Sequence, residues 1–138
     1  MRRQIARRDV APAVPRFCAL RGATSVAADQ PGLITEAVDE LLTTLLESND
    51  LEQRNIVSVI FSATPDLRSL YPAAVARELG WTDLPMLCVS EMGVDTSPPR
   101  CIRVLLHLSV YTNRGLQPIY LRDARMLRPD LVQTVASP

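Results

Sequence analysis

The chain has 138 residues, no net formal charge and 47% hydrophobic side chains, enough for a single domain with its own core. Every basic residue is Arg, and Arg2, Arg3, Arg7, Arg8 and Arg16 face only Asp9 before residue 17, so the remainder is acidic. That balance argues against a nucleic-acid-binding core, and no apolar run approaches the length of a membrane span.

The first sixteen residues lack the apolar segment of a secretory signal and read as a flexible Arg-rich tail, with Pro12 and Pro15 beside Arg7 and Arg8. Cys18, Cys88 and Cys101 show no CxxC spacing, and His107 is the single histidine. This is too small a set for a conventional zinc site, and it fits a reduced, cytoplasmic setting.

Phe17 to Leu20 reads as a short strand that leaves at Arg21-Gly22, where glycine permits a tight exit. Asp29 is expected to cap a helix with Pro31 in its first turn. Leu33, Ile34, Ala37, Val38, Leu41, Leu42, Leu45 and Leu46 recur at helical spacing, with Glu36, Asp39, Glu40 and Glu47 off that stripe. Ser48-Asn49 ends this helix, and Ile56 to Phe61, rich in β-branched residues, reads as a strand. A turn at Ser62-Ala63-Thr64-Pro65-Asp66 precedes a shorter helix from Pro72 to Leu79, stopped by Gly80. Three further strands follow: Met86 to Ser90, Cys101 to Tyr111 beyond Pro98-Pro99, and a short Ile119-Tyr120-Leu121. Elements alternate early and strands cluster late, so the class is α/β or α+β with a small mixed sheet packed on one long and one short helix.

The strand beginning at Cys101 is apolar on nearly both faces, and the helices can cover only one well, so burial of the other by oligomer formation is expected. Within it, Arg103 reads as a buried cation, which needs an anionic partner because it cannot lose its proton. That partner is either a protein carboxylate or a ligand oxygen. His107 shares the Arg103 face by period-two counting and reads as a packing or interface residue.

Several motifs in order resemble the monofunctional chorismate mutases of the trimeric, barrel-like class. They are Leu20-Arg21-Gly22-Ala23-Thr24, Ser62-Ala63-Thr64-Pro65-Asp66-Leu67, Ala76-Arg77-Glu78-Leu79, Cys88 with Glu91-Met92, Cys101-Ile102-Arg103-Val104, Tyr120-Leu121, and Leu127-Arg128-Pro129-Asp130-Leu131. The likeness spans residues 17 to 131, leaving 1–16 and 132–138 as tails. It implies an isomerase that converts chorismate to prephenate on the route to Phe and Tyr, by an intramolecular rearrangement that uses no cofactor and no metal. It also implies a homotrimer with interface active sites.

By the same resemblance, Arg103, Glu91 and Arg21 are the catalytic groups. Arg103 would meet the ether oxygen, Arg21 a carboxylate and the ether region, and Tyr120 a carboxylate. Glu91 and Cys88 would meet the ring hydroxyl. Tyr71, Ala73, Arg77 and Leu87 would form the pocket wall and entrance, with Leu127 and Arg128 closing over it. Because Cys88 and Glu91 are three apart, a regular strand would point them to opposite faces, so shared contact with one ligand requires a bulge or turn near Ser90. Two other readings are a trimeric imine/enamine deaminase-like enzyme and a non-catalytic carboxylate-binding trimer. The first fits the motifs less well, and Glu91 argues against the second, since a simple dianion receptor gains nothing from an added negative charge.

Overall fold

The computed structural model describes residues 14–112 and 114–132; most of the Arg-rich tail, Asn113 and 133–138 lie outside the described residues. Five strands form one sheet: β1 (Arg16–Ser25), β2 (Ile56–Ala63), β3 (Met86–Ser90), β4 (Cys101–Val110) and β5 (Ile119–Tyr120). Their order is β3-β2-β4-β1-β5. The central β4 runs antiparallel to β1 and β2, while β2–β3 and β1–β5 are parallel pairs. The sheet is therefore mixed, and β4 is inserted between the two strands joined by helix α1 (Pro31–Ser48). Helix α2 (Pro72–Glu78) crosses from β2 to β3.

Both helices pack on the same face. Ile34, Ala37, Val38, Leu41, Leu42 and Leu45 of α1 meet Ala73, Val75 and Ala76 of α2 and the side chains of Leu20, Val59, Phe61, Ile102, Val104, Leu106 and Leu108. Each large apolar side chain buried there contributes about 1.5–3 kcal/mol, so this face holds the fold. Along β4 the even-numbered residues from Ile102 to Val110 are buried, and alternate positions are more open, as a period of two requires.

Several local expectations change. β1 starts at Arg16, paired with Val110, and runs to Ser25, so Gly22 lies inside it rather than at its exit. A Cβ on Gly22 would sit 3.0 Å from Leu45 Cδ1 and 3.1 Å from Leu41 Cδ1. Glycine is there because α1 lies close on the strand. Asp29 does not cap α1: the N-cap is Gln30, with no side-chain bond. Asp29 Oδ1 instead accepts hydrogen bonds from the Arg68 and Ser69 backbone N–H groups and from Ser69 Oγ, all within 3.0 Å. These bonds hold its carboxyl below the usual aspartate value, the Ser69 hydroxyl contributing most. β4 ends at Val110, one residue early, and β5 at Tyr120.

Candidate active site

Among the described residues no α-helix packs on the second face of the sheet. Register places Ala23 beside Arg103, Arg21 beside Leu105 and Ala19 beside His107 on one side of β4. On its other side Ser62 is beside Arg103, Ile60 beside Leu105 and Ser58 beside His107. Phe17 is 68% exposed and Leu87 64%. Phe17 lies nearly parallel to the His107 ring, with centroids 6.1 Å apart, and His107 Nδ1 is 3.0 Å from Ser58 Oγ. His107 is thus a packing residue within one chain.

One end of this face is covered by the segment after β5. The Leu121 N–H donates to Ala23 O, and the Asp123 N–H to Ser25 Oγ. This seats Ala124 over Ala23 and Cys101, with Tyr120 and Leu127 alongside. Burial pushes the Cys101 thiol up and so disfavours the thiolate, an effect partly offset by the Arg103 guanidinium nearby.

Between the covered end and the open sheet lies a cavity of about 280 Å³, lined by Arg21, Ile60, Ser62, Arg103, Leu105, Tyr120, Leu127 and Arg128 among others. Three guanidinium groups and a phenol therefore share one concave surface. Arg103 is not buried: its side chain is 47% exposed. Its Nε pairs with Glu91 Oε1 at 3.0 Å. The expected partner is thus present and is a protein carboxylate, on a cation that still faces open space. The Arg128 fork grips Asp130 through Nε and a terminal nitrogen at 3.0 and 2.8 Å. That pairing holds the Asp130 carboxyl below its ordinary value.

A second, larger groove, about 560 Å³, lies beyond β2 and is lined by Thr64, Pro65, Leu67, Arg68, Tyr71, Cys88 and Val89, among others. Its wall is braced from outside by Asp29. Asp66 braces the start of β4, accepting from the Arg100 N–H, while Thr64 Oγ1 accepts from the Cys101 N–H at 2.9 Å.

The family model for chorismate mutase type I matches residues 17–131. The chain belongs to that family. The chorismate mutase AroH of Bacillus subtilis (strain 168) is 36% identical over 117 residues, covering 83% of this chain and 92% of that protein. The AroH of Thermus thermophilus is 41% identical over 114 residues, covering 81% and 93%. A solved chorismate mutase from Clostridium thermocellum superposes with a TM-score of 0.74 at 36% identity, covering 79% of this chain and 98% of that one. The α+β fold with a mixed five-stranded sheet is that of the family.

The site residues assigned by resemblance are spread over several places within one chain. Arg21, Arg103, Tyr120, Leu127 and Arg128 line the cavity, and Glu91 joins them through Arg103. Tyr71 and Cys88 line the separate groove. Ala73 packs in the core, Arg77 is exposed on α2, and Leu87 is exposed on β3. β3 ends at Ser90, although the Glu91 N–H still donates to Ala63 O. Cys88 lies beside the buried Phe61 and packs on the helix-side core, whereas Glu91 reaches the open face. The strand thus ends between the two residues, where shared contact with one ligand requires the chain to leave regular β geometry. Ser62, which sequence reading left within a turn motif, lines the cavity in strand β2. Its signal was parity: it is two residues from Ile60.

Proposed function

We propose that this chain is a chorismate mutase whose reaction takes place at the open sheet face, in the cavity around Arg103. Family membership supplies the activity. What carries the location is one observation: Arg21, Arg103, Arg128 and Tyr120 converge on a single cavity. A dianionic substrate matches that set, because each planar guanidinium can grip a carboxylate with two hydrogen bonds.

The rearrangement of chorismate to prephenate breaks one C–O bond and forms one C–C bond within a single molecule, with no proton or electron to store. The protein's task is to hold the compact reactive conformer and to place positive charge where the ether oxygen becomes electron-rich. Arg103 takes the second role. Arg21, Tyr120 and Arg128 take the carboxylates, Arg128 exchanging Asp130 for substrate. Glu91 accepts the ring hydroxyl and orients Arg103 through Nε, which leaves the terminal nitrogens of the guanidinium to the substrate.

The site is completed by a neighbouring copy in a homotrimer. Support comes from the bare sheet face with Phe17, Leu87 and Val89 exposed, and from Tyr71 and Cys88 lying in a separate groove that a second copy would bring to the cavity. A reduced, cytoplasmic setting suits the three free thiols. Among the described residues no helix is long and apolar enough to cross a membrane. The test is to follow chorismate disappearance with purified protein and identify the product. Prephenate formed at an enzyme-dependent rate supports the reading; an unchanged chorismate pool defeats it.

A further inference from the structure

We propose that Ser62 is a positioning residue for this reaction, setting the Glu91 carboxylate against Arg103. The inference rests on the site reading above and goes beyond it, since resemblance gave Ser62 no role. Three strands meet at this point. Ser62 of β2 lies directly opposite Arg103 of β4, and Glu91 follows the last residue of β3. Ser62 Oγ donates to Glu91 Oε1 at 2.5 Å, and the Arg103 guanidinium forms an ion pair with that same oxygen, its Nε 3.0 Å away. One hydrogen bond and one ion pair therefore hold Oε1 in place. Glu91 Oε2 takes no hydrogen bond from the described residues, which leaves it free for a ligand hydroxyl.

Glu91 needs this support. It lies beyond the β3 ladder, anchored by its backbone N–H to Ala63 O, and its side chain would otherwise be free to rotate away from the cavity. A carboxylate that moved would release the Arg103 guanidinium, whose position has to match the ether oxygen in the transition state. Hydrogen bonds to charged groups are the stronger ones, so one short hydroxyl bond suffices to hold the arrangement.

The experiment is steady-state kinetics with chorismate on Ser62→Ala, Ser62→Thr, Glu91→Gln and the Ser62→Ala/Glu91→Gln double variant. Ser62→Ala is expected to lower kcat about tenfold, the cost of one hydrogen bond to a charged group. KM should stay within about twofold, because the Arg side chains still hold the carboxylates. Ser62→Thr keeps the hydroxyl at a position suited to β-branching and should recover most of the loss. In the Glu91→Gln background, removing the Ser62 hydroxyl should cost less than about twofold more, because the two residues act as one unit. Full kcat in Ser62→Ala, or an undiminished tenfold loss on top of Glu91→Gln, overturns the positioning role and leaves the site reading intact. A Glu91→Gln protein with wild-type kcat overturns both the positioning role and the part assigned to Glu91. A wild-type protein that leaves chorismate unchanged refutes the site reading itself.

Discussion

The two faces of the sheet are built from the same strands and do opposite work. On the helix side, Ile102, Val104, Leu106 and Leu108 of β4 disappear under α1 and α2. On the other side, one residue out of phase, Arg103, Leu105 and His107 stay partly open, and Arg103 joins Arg21, Ser62 and Glu91 in a polar cluster. With the proposed site on the open face, stability and chemistry are separated by parity along one strand. A slip of one residue would exchange them, so the helix-side burial also fixes where the cations point.

That separation can be attacked from either side. Leu42→Ala, on the buried face, should lower unfolding free energy by about 2–5 kcal/mol while the protein that remains folded keeps its kcat. Denaturant titration beside kinetics measures both, and a loss of kcat in fully folded protein would show that the faces are coupled. Arg103→Ala, on the open face, should lower kcat by at least about 10²-fold, by analogy with loss of an oxyanion donor. KM should move less, and Arg103→Lys should rescue only partly because it loses the planar fork. A folded Arg103→Ala protein with near-normal kcat would reduce Arg103 to the partner of Glu91.

Asp29→Asn is the milder case. The Asp29 carboxyl is held below its ordinary value of 3.8, so its stabilising effect is present above that pH and fades as pH falls below it. Wild type should therefore be more stable than Asp29→Asn at neutral pH, and their melting temperatures should converge on acidification below about pH 4. A gap that persists at low pH would mean the charge is not what matters. Smallest of all, a chain starting at Val14 should keep turnover and melting temperature, since the family match begins at residue 17. Loss of either would place the tail in the working structure.

The helix-side face was legible from sequence because apolar periodicity is local: the α1 stripe and the existence of the five strands needed no long-range information, whereas their order in the sheet did. Two local readings failed for a non-local reason. Asp29 looked like a cap, and Gly22 looked like an exit, but each answers to a partner far along the chain, Ser69 in one case and Leu41 with Leu45 in the other. The cavity was reached only through resemblance. Arg21, Arg103 and Tyr120 sit on three different strands, and nothing in their spacing announces that they share a face. Arg103 reads as buried because its neighbours are apolar; one chain leaves it open because, among the described residues, no α-helix covers that side. Ser62 escaped because its partners lie 29 and 41 positions away, beyond β3 and on β4.

The central claim is that chemistry belongs to the bare face and is completed by the groove of another copy. Co-assembly of two crippled proteins tests it most directly: Arg103→Ala, damaged in the cavity, and Tyr71→Ala/Arg77→Ala, damaged on the groove side. Mixed in equal amounts through unfolding and refolding, they should form intact sites wherever an unaltered cavity meets an unaltered groove. Random pairing of halves gives about a quarter of wild-type turnover, well above either parent alone. Turnover no higher than the average of the two parents, in protein shown to have mixed, would contradict the account and place the whole site within one chain.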